Sequence, residues 1–261
     1  MTWQILLFNA LLLFVFMSLA FVAARFRKRL DIVDTAWGLG FIVASEATVG
    51  VNTNTSSALL SVPALLVIIW GLRLALHIYN RNRHRKDDPR YEELTRKWRG
   101  NFWVRAYFSI FLLQGALIWV ISLPLAMLGG AALDTWNWGS IADAGFALWL
   151  IGFTIEVIAD WQLSAYLRLP NRPKVMSRGL WRYSRHPNYF GELTVWWGIG
   201  LIGLSVPYGW IGLLGPLTLS LLIIFVSGIP PIERRRQKDP EYRAYQRVTS
   251  PLIPLPPRTR G

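Results

Sequence analysis

The chain has 261 residues, of which 53% are hydrophobic and 16% are charged, and its formal net charge is +13 at pH 7. A soluble domain of this length carries more charge and shorter apolar runs, so the composition argues against a soluble enzyme. The chain has no cysteine, which excludes disulfides and thiolate metal sites.

Seven apolar blocks follow one another along the chain, and most approach the roughly 20 residues that a helix needs to cross the bilayer core. They are Ile5–Ala24, Ala36–Val51, Ser57–Ile78, Val104–Leu128, Ala144–Ile158, Leu193–Val206 and Trp210–Val226. The basic run Arg25–Arg29 follows the first block where a signal peptide would have a cleavage site. We therefore predict an all-α integral membrane protein with seven transmembrane helices.

The distribution of basic residues predicts how these helices are oriented. All of the 28 Lys and Arg except Arg73 lie in four segments, Arg25–Arg29, Arg81–Arg105, Arg168–Arg185 and Arg234–Arg260. The connections near 51–56, 129–143 and 207–209 contain none. Because basic residues favour the cytoplasmic side, we expect the N-terminus outside and the C-terminus in the cytoplasm. The same residues would also attract anionic lipid head groups, whereas no nucleic-acid-binding module is recognisable.

Ionisable residues occur within the blocks or at their ends, where a charge is costly and commonly marks function. They are Asp31, Asp34, Glu46, Arg73, His77, Glu156, Asp160 and Glu192. All but Glu46 lie in or at the half predicted to face the cytoplasm, so we expect a polar cavity open to that side. Helix capping and ion pairing are the simpler interpretation. It suits Asp31 better than Glu156 and Asp160, whose charges oppose the dipole at a helix C-terminus.

The segment 168–192 combines many hydrogen-bond donors with aromatic rings. Its members include Arg178, Arg182, Arg185 and His186, which could bind phosphates, and Trp181, Tyr183 and Tyr189, which could stack on a planar ring. Asn188 can donate and accept hydrogen bonds at once, and Gly191 permits a close backbone approach. No glycine-rich dinucleotide or Walker motif occurs, so this pattern indicates an anionic, ring-bearing cofactor outside a Rossmann or P-loop site.

The stretch Gly179–Glu192 reads Gly-Leu-Trp-Arg-Tyr-Ser-Arg-His-Pro-Asn-Tyr-Phe-Gly-Glu, and Glu233 and a Pro-Leu-Ile-Pro terminus follow it. It resembles the C-terminal domain of steroid 5-alpha-reductases, and their bacterial relatives most of all. Sterol reductases and isoprenylcysteine methyltransferases share this membrane core more distantly. The resemblance is strong from about residue 145 to 256 and weaker before. It implies one membrane domain in which residues 1–143 serve the substrate and 144–261 the cofactor.

The resemblance implies NADPH as the cofactor, in the reduction of the Δ4 double bond of a 3-oxo-steroid. The family's Asn-x-x-Gly-Glu motif matches Asn188, Gly191 and Glu192, and its Asn-x-x-x-Asp motif matches Glu156 and Asp160, with Glu in place of Asn. The other expected cofactor-binding residues are Arg73, Arg81, Arg83, Arg168, Arg178, Tyr183, Arg185, His186, Glu233, Arg234 and Tyr242. No metal site is predicted.

The substrate end departs from the family pattern. Eukaryotic members carry a Gln-Glu pair and a Tyr where this chain aligns Gly40, Phe41 and Trp70. We predict that Glu46, or alternatively Asp34, donates to the carbonyl oxygen as hydride reaches the enone. Trp37, Phe41 and Trp70 are predicted to form the apolar wall of the substrate pocket.

Two other functions remain open at this point. A membrane methyltransferase that uses S-adenosylmethionine shares the Arg-His-Pro-x-Tyr stretch, although Glu156, Asp160 and Arg73 favour the larger dinucleotide. A transporter or lipid-binding protein would more often show internal repeats, which this chain lacks. We expect a monomer that binds a steroid or another planar, lipid-soluble enone together with membrane lipids. In a bacterium it would lie in the inner (cytoplasmic) membrane.

Overall fold

The computed structural model describes residues 2–50, 58–83, 89–96, 98–131 and 139–258. In these residues the secondary structure is helical, apart from one isolated parallel bridge between Ser184 and Ser250. The α-helices are α1 (Thr2–Arg27), α2 (Ile32–Gly50), α3 (Ala58–Asn82), α4 (Pro89–Thr95), α5 (Phe102–Ala106), α6 (Leu113–Ile121), α7 (Leu123–Gly130), α8 (Ser140–Leu167), α9 (Pro187–Gly203), α10 (Leu214–Leu221), α11 (Ile229–Arg236) and α12 (Pro240–Val248). π-turns at Tyr107–Leu112 and Leu222–Val226 and 3-10 turns at Gly179–Arg182 and Gly209–Leu213 connect some of them.

Six helical stretches of the described chain are long and apolar enough to cross a membrane. They are Thr2–Arg27, Ile32–Gly50, Val62–Asn82, Phe102–Ile121, Ser140–Leu167 and Gly209–Arg236. The prediction of an all-α membrane protein is therefore confirmed. The sixth predicted block forms α9, whose 17 residues fall short of the roughly 20 needed for a span. The predicted count of seven spans is therefore not confirmed. The orientation stays a prediction. The connection expected at 51–56 lies outside the described residues, as do residues 132–138 of the connection expected at 129–143.

The chain forms two compact units. The first comprises Met1–Gly139 and Gly203–Gly215, and the second comprises Ser140–Ile202 and Pro216–Gly261. The predicted division placed Gly203–Gly215 in the C-terminal part, residues 144–261, whereas the structure assigns this segment to the first unit. The assignment of substrate to one part and cofactor to the other stays a prediction.

In the first unit, α2 and α3 pack closely where two glycines face each other. A Cβ atom on Gly38 would lie 2.7 Å from the carbonyl oxygen of Gly71, so larger residues would force the helices apart. Phe41 and Trp70 are fully buried, with ring centroids 5.4 Å apart. This tight packing fixes the aromatic rings of α2 and α3 in the core of the unit.

In the second unit, α8 and α9 meet along a seam of four glycines. Gly145 and Gly152 lie two helical turns apart on α8, and Gly191 and Gly198 do so on α9. A Cβ on Gly145 would lie 2.6 Å from the carbonyl oxygen of Gly198, and one on Gly191 would lie 2.6 Å from the backbone nitrogen of Glu156. The seam thus holds the N-terminal half of α8 against α9 and brings Glu156 next to the first turns of α9.

The 3-10 turn before α9 is attached to α8. Gly179 has a φ of +60°, a backbone conformation that favours glycine, and a Cβ there would lie 2.4 Å from the end of the Gln162 side chain, which would have to move. The backbone N–H of Leu180 donates to Gln162 Oε1 at 3.0 Å, and Trp181 Nε1 donates to the carbonyl oxygen of Ala159 at 3.1 Å. These contacts fix the turn on the side of α8.

The C-terminal segment lies along the residues that follow this turn. Arg185 N donates to the Ser250 carbonyl oxygen at 2.8 Å, and the buried Ser184 hydroxyl donates to the Leu252 carbonyl oxygen at 2.7 Å. Tyr245 of α12 donates its hydroxyl hydrogen bonds to the carbonyl oxygens of Trp181 and Ser184. The entry to α9 is therefore supported from two sides, by α8 and by the end of the chain.

Candidate functional site

The residues Glu156, Asp160, Asn188 and Glu192 form what we call the α8–α9 polar site. Glu156 and Asp160 come from α8 and are only 2% and 7% exposed, and Asn188 and Glu192 come from the first turns of α9 and are half-buried. Asn188 Nδ2 donates to Asp160 Oδ1 at 3.3 Å. Burying a carboxylate is costly unless it accepts hydrogen bonds, and this amide provides one. The two predicted motifs are thus brought together.

Gly191 has a structural role in this site. A Cβ there would lie 2.6 Å from Glu156 N and 2.7 Å from the Gly152 carbonyl oxygen, both backbone atoms that cannot move aside. Helix packing therefore accounts for glycine at this position, and a contact between Gly191 and a cofactor stays a prediction.

A second group of polar residues, which we call the Glu233 cluster, consists of Arg185, His186, Glu233, Gln246 and Thr249. Arg185 Nε donates to Glu233 Oε1 at 2.7 Å, and His186 Nε2 lies 3.3 Å from the same oxygen. Gln246 Nε2 donates to Glu233 Oε2 at 3.3 Å. Arg185 Nη1 donates to the backbone carbonyl oxygens of Gln246 and Thr249 at 3.2 and 2.6 Å.

This cluster joins the entry of α9 to α11, α12 and the end of the chain. The charge of Arg185 is compensated by Glu233 in a pair whose side chains are 9% and 20% exposed. Through its hydrogen bonds, the partly buried guanidinium of Arg185 links the start of α9 to α11, α12 and the residue that follows α12. The predicted contacts of Arg185, His186 and Glu233 with a cofactor stay predictions. The hydrogen-bond partners observed for their side chains lie within the cluster.

The tyrosines of α12 stay protonated beside this cluster. Burial raises the pKa of Tyr242, and the nearby Glu233 carboxylate raises it further. Burial also raises the pKa of Tyr245, with a smaller contribution from Tyr242. Tyr242 is 3% exposed, and the guanidinium of Arg236 lies 4.3 Å from its ring centroid. Tyr242, a predicted cofactor-binding residue, is thus packed inside the unit.

The remaining predicted cofactor residues of the second unit lie on its surface. Arg168, Arg178, Tyr183 and Arg234 are all exposed. In the first unit, Arg73 is half-buried in α3, Arg81 Nε donates to Asn82 Oδ1 at 3.1 Å, and Arg83 is exposed.

The predicted substrate residues of the first unit fall into two groups. Trp37 and Phe41 have ring centroids 5.3 Å apart, and those of Phe41 and Trp70 are 5.4 Å apart, so the three rings form one cluster. Glu46 is exposed, on a different face of α2 from the buried Phe41. Asp34 accepts a hydrogen bond of 2.6 Å from the hydroxyl of Tyr91. Of the two predicted acids, Asp34 is therefore the one for which a hydrogen-bond partner is observed.

Sequence reasoning missed several residues that shape these sites. Gln162, Ser184 and Gln246 hold the turn and the Glu233 cluster in place, and Tyr91 binds Asp34. Gln162 lies two positions after Asp160 and gave no pattern of its own. The spacing of Tyr242 and Tyr245 could have indicated that both pack into the unit, because residues three apart share one face of a helix.

These features define an all-helical integral membrane protein in which two buried carboxylates and a half-buried amide lie at one helix pair. The chain belongs to the family described as DUF1295, a protein of unknown function, whose model matches residues 20–249. The family is therefore shown for nearly the whole chain.

The relatives that carry a named activity match only part of the chain. An uncharacterized protein of Schizosaccharomyces pombe is 25% identical over 85% of this chain and 70% of its own length. The 3-oxo-5-alpha-steroid 4-dehydrogenase 1 of Mus musculus is 41% identical over 24% of this chain and 25% of its own. The corresponding protein of Macaca fascicularis is 31% identical over 42% of this chain and 40% of its own length. The chain thus matches well under half the length of these dehydrogenases. No solved structure matches.

Proposed function

We propose that the chain is an NADPH-dependent membrane reductase that acts on the Δ4 double bond of 3-oxo-steroids or of similar membrane-soluble enones. The observation that carries this proposal is the α8–α9 polar site, where Asn188 binds Asp160 next to the buried Glu156. The distant similarity to 3-oxo-5-alpha-steroid 4-dehydrogenase 1 supports the same reaction class.

The residue types of the polar site fit the uncharged parts of a dinucleotide. The Asn188 amide can both donate and accept, as a nicotinamide carboxamide does, and Asp160 and Glu192 can accept from amide and ribose hydroxyl groups. Carboxylates repel phosphates, so the pyrophosphate needs basic residues, and Arg168 is exposed in the same unit. When bound, NADPH supplies the hydride that reaches the β-carbon of the enone.

The acid that assists the reaction must stabilise charge on the carbonyl oxygen. Glu46 is exposed, whereas Asp34 is half-buried, and a donor shielded from water stabilises a developing charge more strongly. We therefore place Asp34 ahead of Glu46 for this role. The variants Asp34→Asn and Glu46→Gln separate the two, because only the variant of the acting residue should lower kcat by about a hundredfold or more. A loss of kcat in Glu46→Gln alone would reverse the assignment.

The proposal is tested on the purified full chain in detergent. NADPH and S-adenosylmethionine are titrated separately, and turnover of a 3-oxo-Δ4 steroid is followed by the loss of NADPH absorbance. We expect NADPH to bind and Glu192→Gln to weaken it by at least about tenfold. Glu241→Gln is the control, because that carboxylate is exposed and pairs with Lys174. Binding of S-adenosylmethionine without NADPH, or unchanged NADPH affinity in Glu192→Gln, would overturn the proposal.

A further inference from the structure

A groove of about 480 Å³ opens on the surface of the second unit, between the 3-10 turn, α12 and the end of the chain. Its lining residues are Ser177, Arg178, Gly179, Arg182, Tyr245, Val248, Thr249 and Pro257. The lining includes none of the four residues of the α8–α9 polar site, and it contains no carboxylate. The groove is therefore a separate feature of the unit.

Two arginines give this groove a positive charge. Arg178 and Arg182 are both exposed, and within the described chain neither guanidinium forms a salt bridge. Other arginines of the unit differ, since Arg185 is paired with Glu233 and Arg236 with Asp239. Guanidinium groups bind phosphate oxygens in bidentate fashion. The two unneutralised charges on one lining thus favour an anion there.

The floor of the groove is held in place without a ligand. The 3-10 turn that carries Arg182 is attached to α8 through Leu180 and Trp181, and the hydroxyl of Tyr245 donates to the backbone of the same turn. A site that is already ordered loses less conformational entropy when a ligand binds. The arginines therefore extend from a fixed backbone.

The other lining residues narrow the class of ligand. Val248 and Pro257 offer apolar surface, and Ser177 offers a hydroxyl. The volume lies within the roughly 300–1,000 Å³ of small-molecule sites and exceeds what one phosphate group fills. A phosphate joined to a ring or to an apolar chain would use both the arginines and the apolar wall.

We propose that this groove binds a phosphomonoester, carried either by a soluble nucleotide or by an anionic lipid. Both sources present the same doubly charged group to Arg178 and Arg182. In the nucleotide case the group is the 2′-phosphate of NADPH, and this case alone rests on the proposed function. The lipid case is independent of it.

The experiment uses the full chain in detergent with two probes, 2′,5′-ADP for the nucleotide source and dioctanoyl phosphatidic acid for the lipid source. Dioctanoyl phosphatidylcholine, which has no phosphomonoester, is the probe control. The double variant Arg178→Gln/Arg182→Gln removes the proposed contacts. The matched control is Arg243→Gln/Arg247→Gln, which removes the same charge from exposed positions on α12 that do not line the groove.

We expect at least one probe to bind, and its affinity to fall about tenfold or more in the groove variant but less than about twofold in the control. Loss of 2′,5′-ADP affinity, with weaker NADPH and unchanged NADH binding, identifies the nucleotide source. Loss confined to phosphatidic acid identifies the lipid source. Binding of neither probe, or an equal loss in both variants with unchanged melting temperatures, would overturn the proposal. The Glu192→Gln result on NADPH is read separately, so either proposal can fail alone.

Discussion

The α8–α9 polar site and the Glu233 cluster lie in the same unit and each takes two residues from the segment 168–192, yet they are built differently. The Glu233 cluster is a closed network in which Arg185, His186 and Gln246 all reach one carboxylate. The polar site places Asp160 and Asn188 on two helices whose spacing is set by glycines. One region is held by its polar contacts, and the other is held by backbone packing.

This difference separates stability from binding. Side chains that satisfy one another in a network contribute mainly to folding, because their removal leaves buried partners without compensation. Side chains positioned by backbone packing can exchange partners without loss of the fold. We therefore expect changes in the Glu233 cluster to lower stability, and changes in the polar site to lower cofactor affinity.

The largest effect is expected for Glu233→Ala. This change leaves Arg185 and His186, which are largely buried, without their shared acceptor. The free energy of unfolding should fall by about 3 kcal/mol, seen as a lower melting temperature in detergent. Glu241→Ala is the control, because its exposed pair with Lys174 should contribute less than about 1 kcal/mol. Equal melting temperatures for the two variants would contradict the structural role of the cluster.

The next effect concerns the glycine seam. Gly191→Ala places a Cβ 2.6 Å from the backbone nitrogen of Glu156, so α8 and α9 must separate. We expect a loss of about 1–3 kcal/mol in stability together with weaker NADPH binding, because the two halves of the polar site move apart. Gly50→Ala is the matched control, since no atom lies within 4 Å of its Cβ position. Wild-type stability in Gly191→Ala would show that the seam is not closely packed.

A reciprocal exchange tests the hydrogen bond inside the polar site. Asn188→Asp alone sets two carboxylates 3.3 Å apart and should destabilise the unit by about 1–2 kcal/mol. The double variant Asp160→Asn/Asn188→Asp restores an amide–carboxylate pair and should recover most of that stability. Because NADPH is proposed to contact Asp160 and Asn188 individually, its affinity should stay low in the double variant. Full recovery of NADPH affinity would instead assign the pair a purely structural role.

The membrane helices and the polar residues of α8 and α9 were predictable because both rest on local patterns. Apolar blocks mark spans, and Glu156 and Asp160 share a helix face through their spacing alone. The weaker prediction was α9, because its first turns carry the polar residues of the motif and the apolar run is correspondingly short. That Asp160 and Asn188 lie close together was expected from the resemblance, which assigned both residues to one cofactor site.

Partner choice was not predictable from local patterns. Arg185 and Arg178 look alike in the sequence, but a carboxylate 48 positions away compensates only the first. Gly191 was predicted to allow a ligand to approach the backbone closely, whereas in the structure the backbone of α8 lies against it. Glu46 suggested a buried acid and is exposed. Each of these outcomes depends on which distant element packs on a residue, and a single sequence does not contain that information in its spacing.

The smallest effect, and the one that tests the edge of the Glu233 cluster, is expected for Tyr245→Phe. The variant removes the hydroxyl that donates to the carbonyl oxygens of Trp181 and Ser184, which should lower stability by about 1 kcal/mol at pH 7. Because burial raises the pKa of Tyr245 above its ordinary value of 10.0, the unfolded chain releases this proton first. The stability contributed by this tyrosine is therefore complete below pH 10 and declines as the pH rises further.

Thermal unfolding of the wild type and of Tyr245→Phe, measured from pH 7 to 11, separates these two contributions. The difference in melting temperature should be constant up to about pH 10 and should shrink above it, because only the wild type loses the contribution of the titrating hydroxyl. Tyr242→Phe, whose tyrosine also has a raised pKa, should give a similar pH dependence. A difference that stays constant above pH 10 would mean that the hydroxyl ionises as readily in the folded protein as in the unfolded chain. In that case Tyr245 would be open to water and not buried beside the cluster.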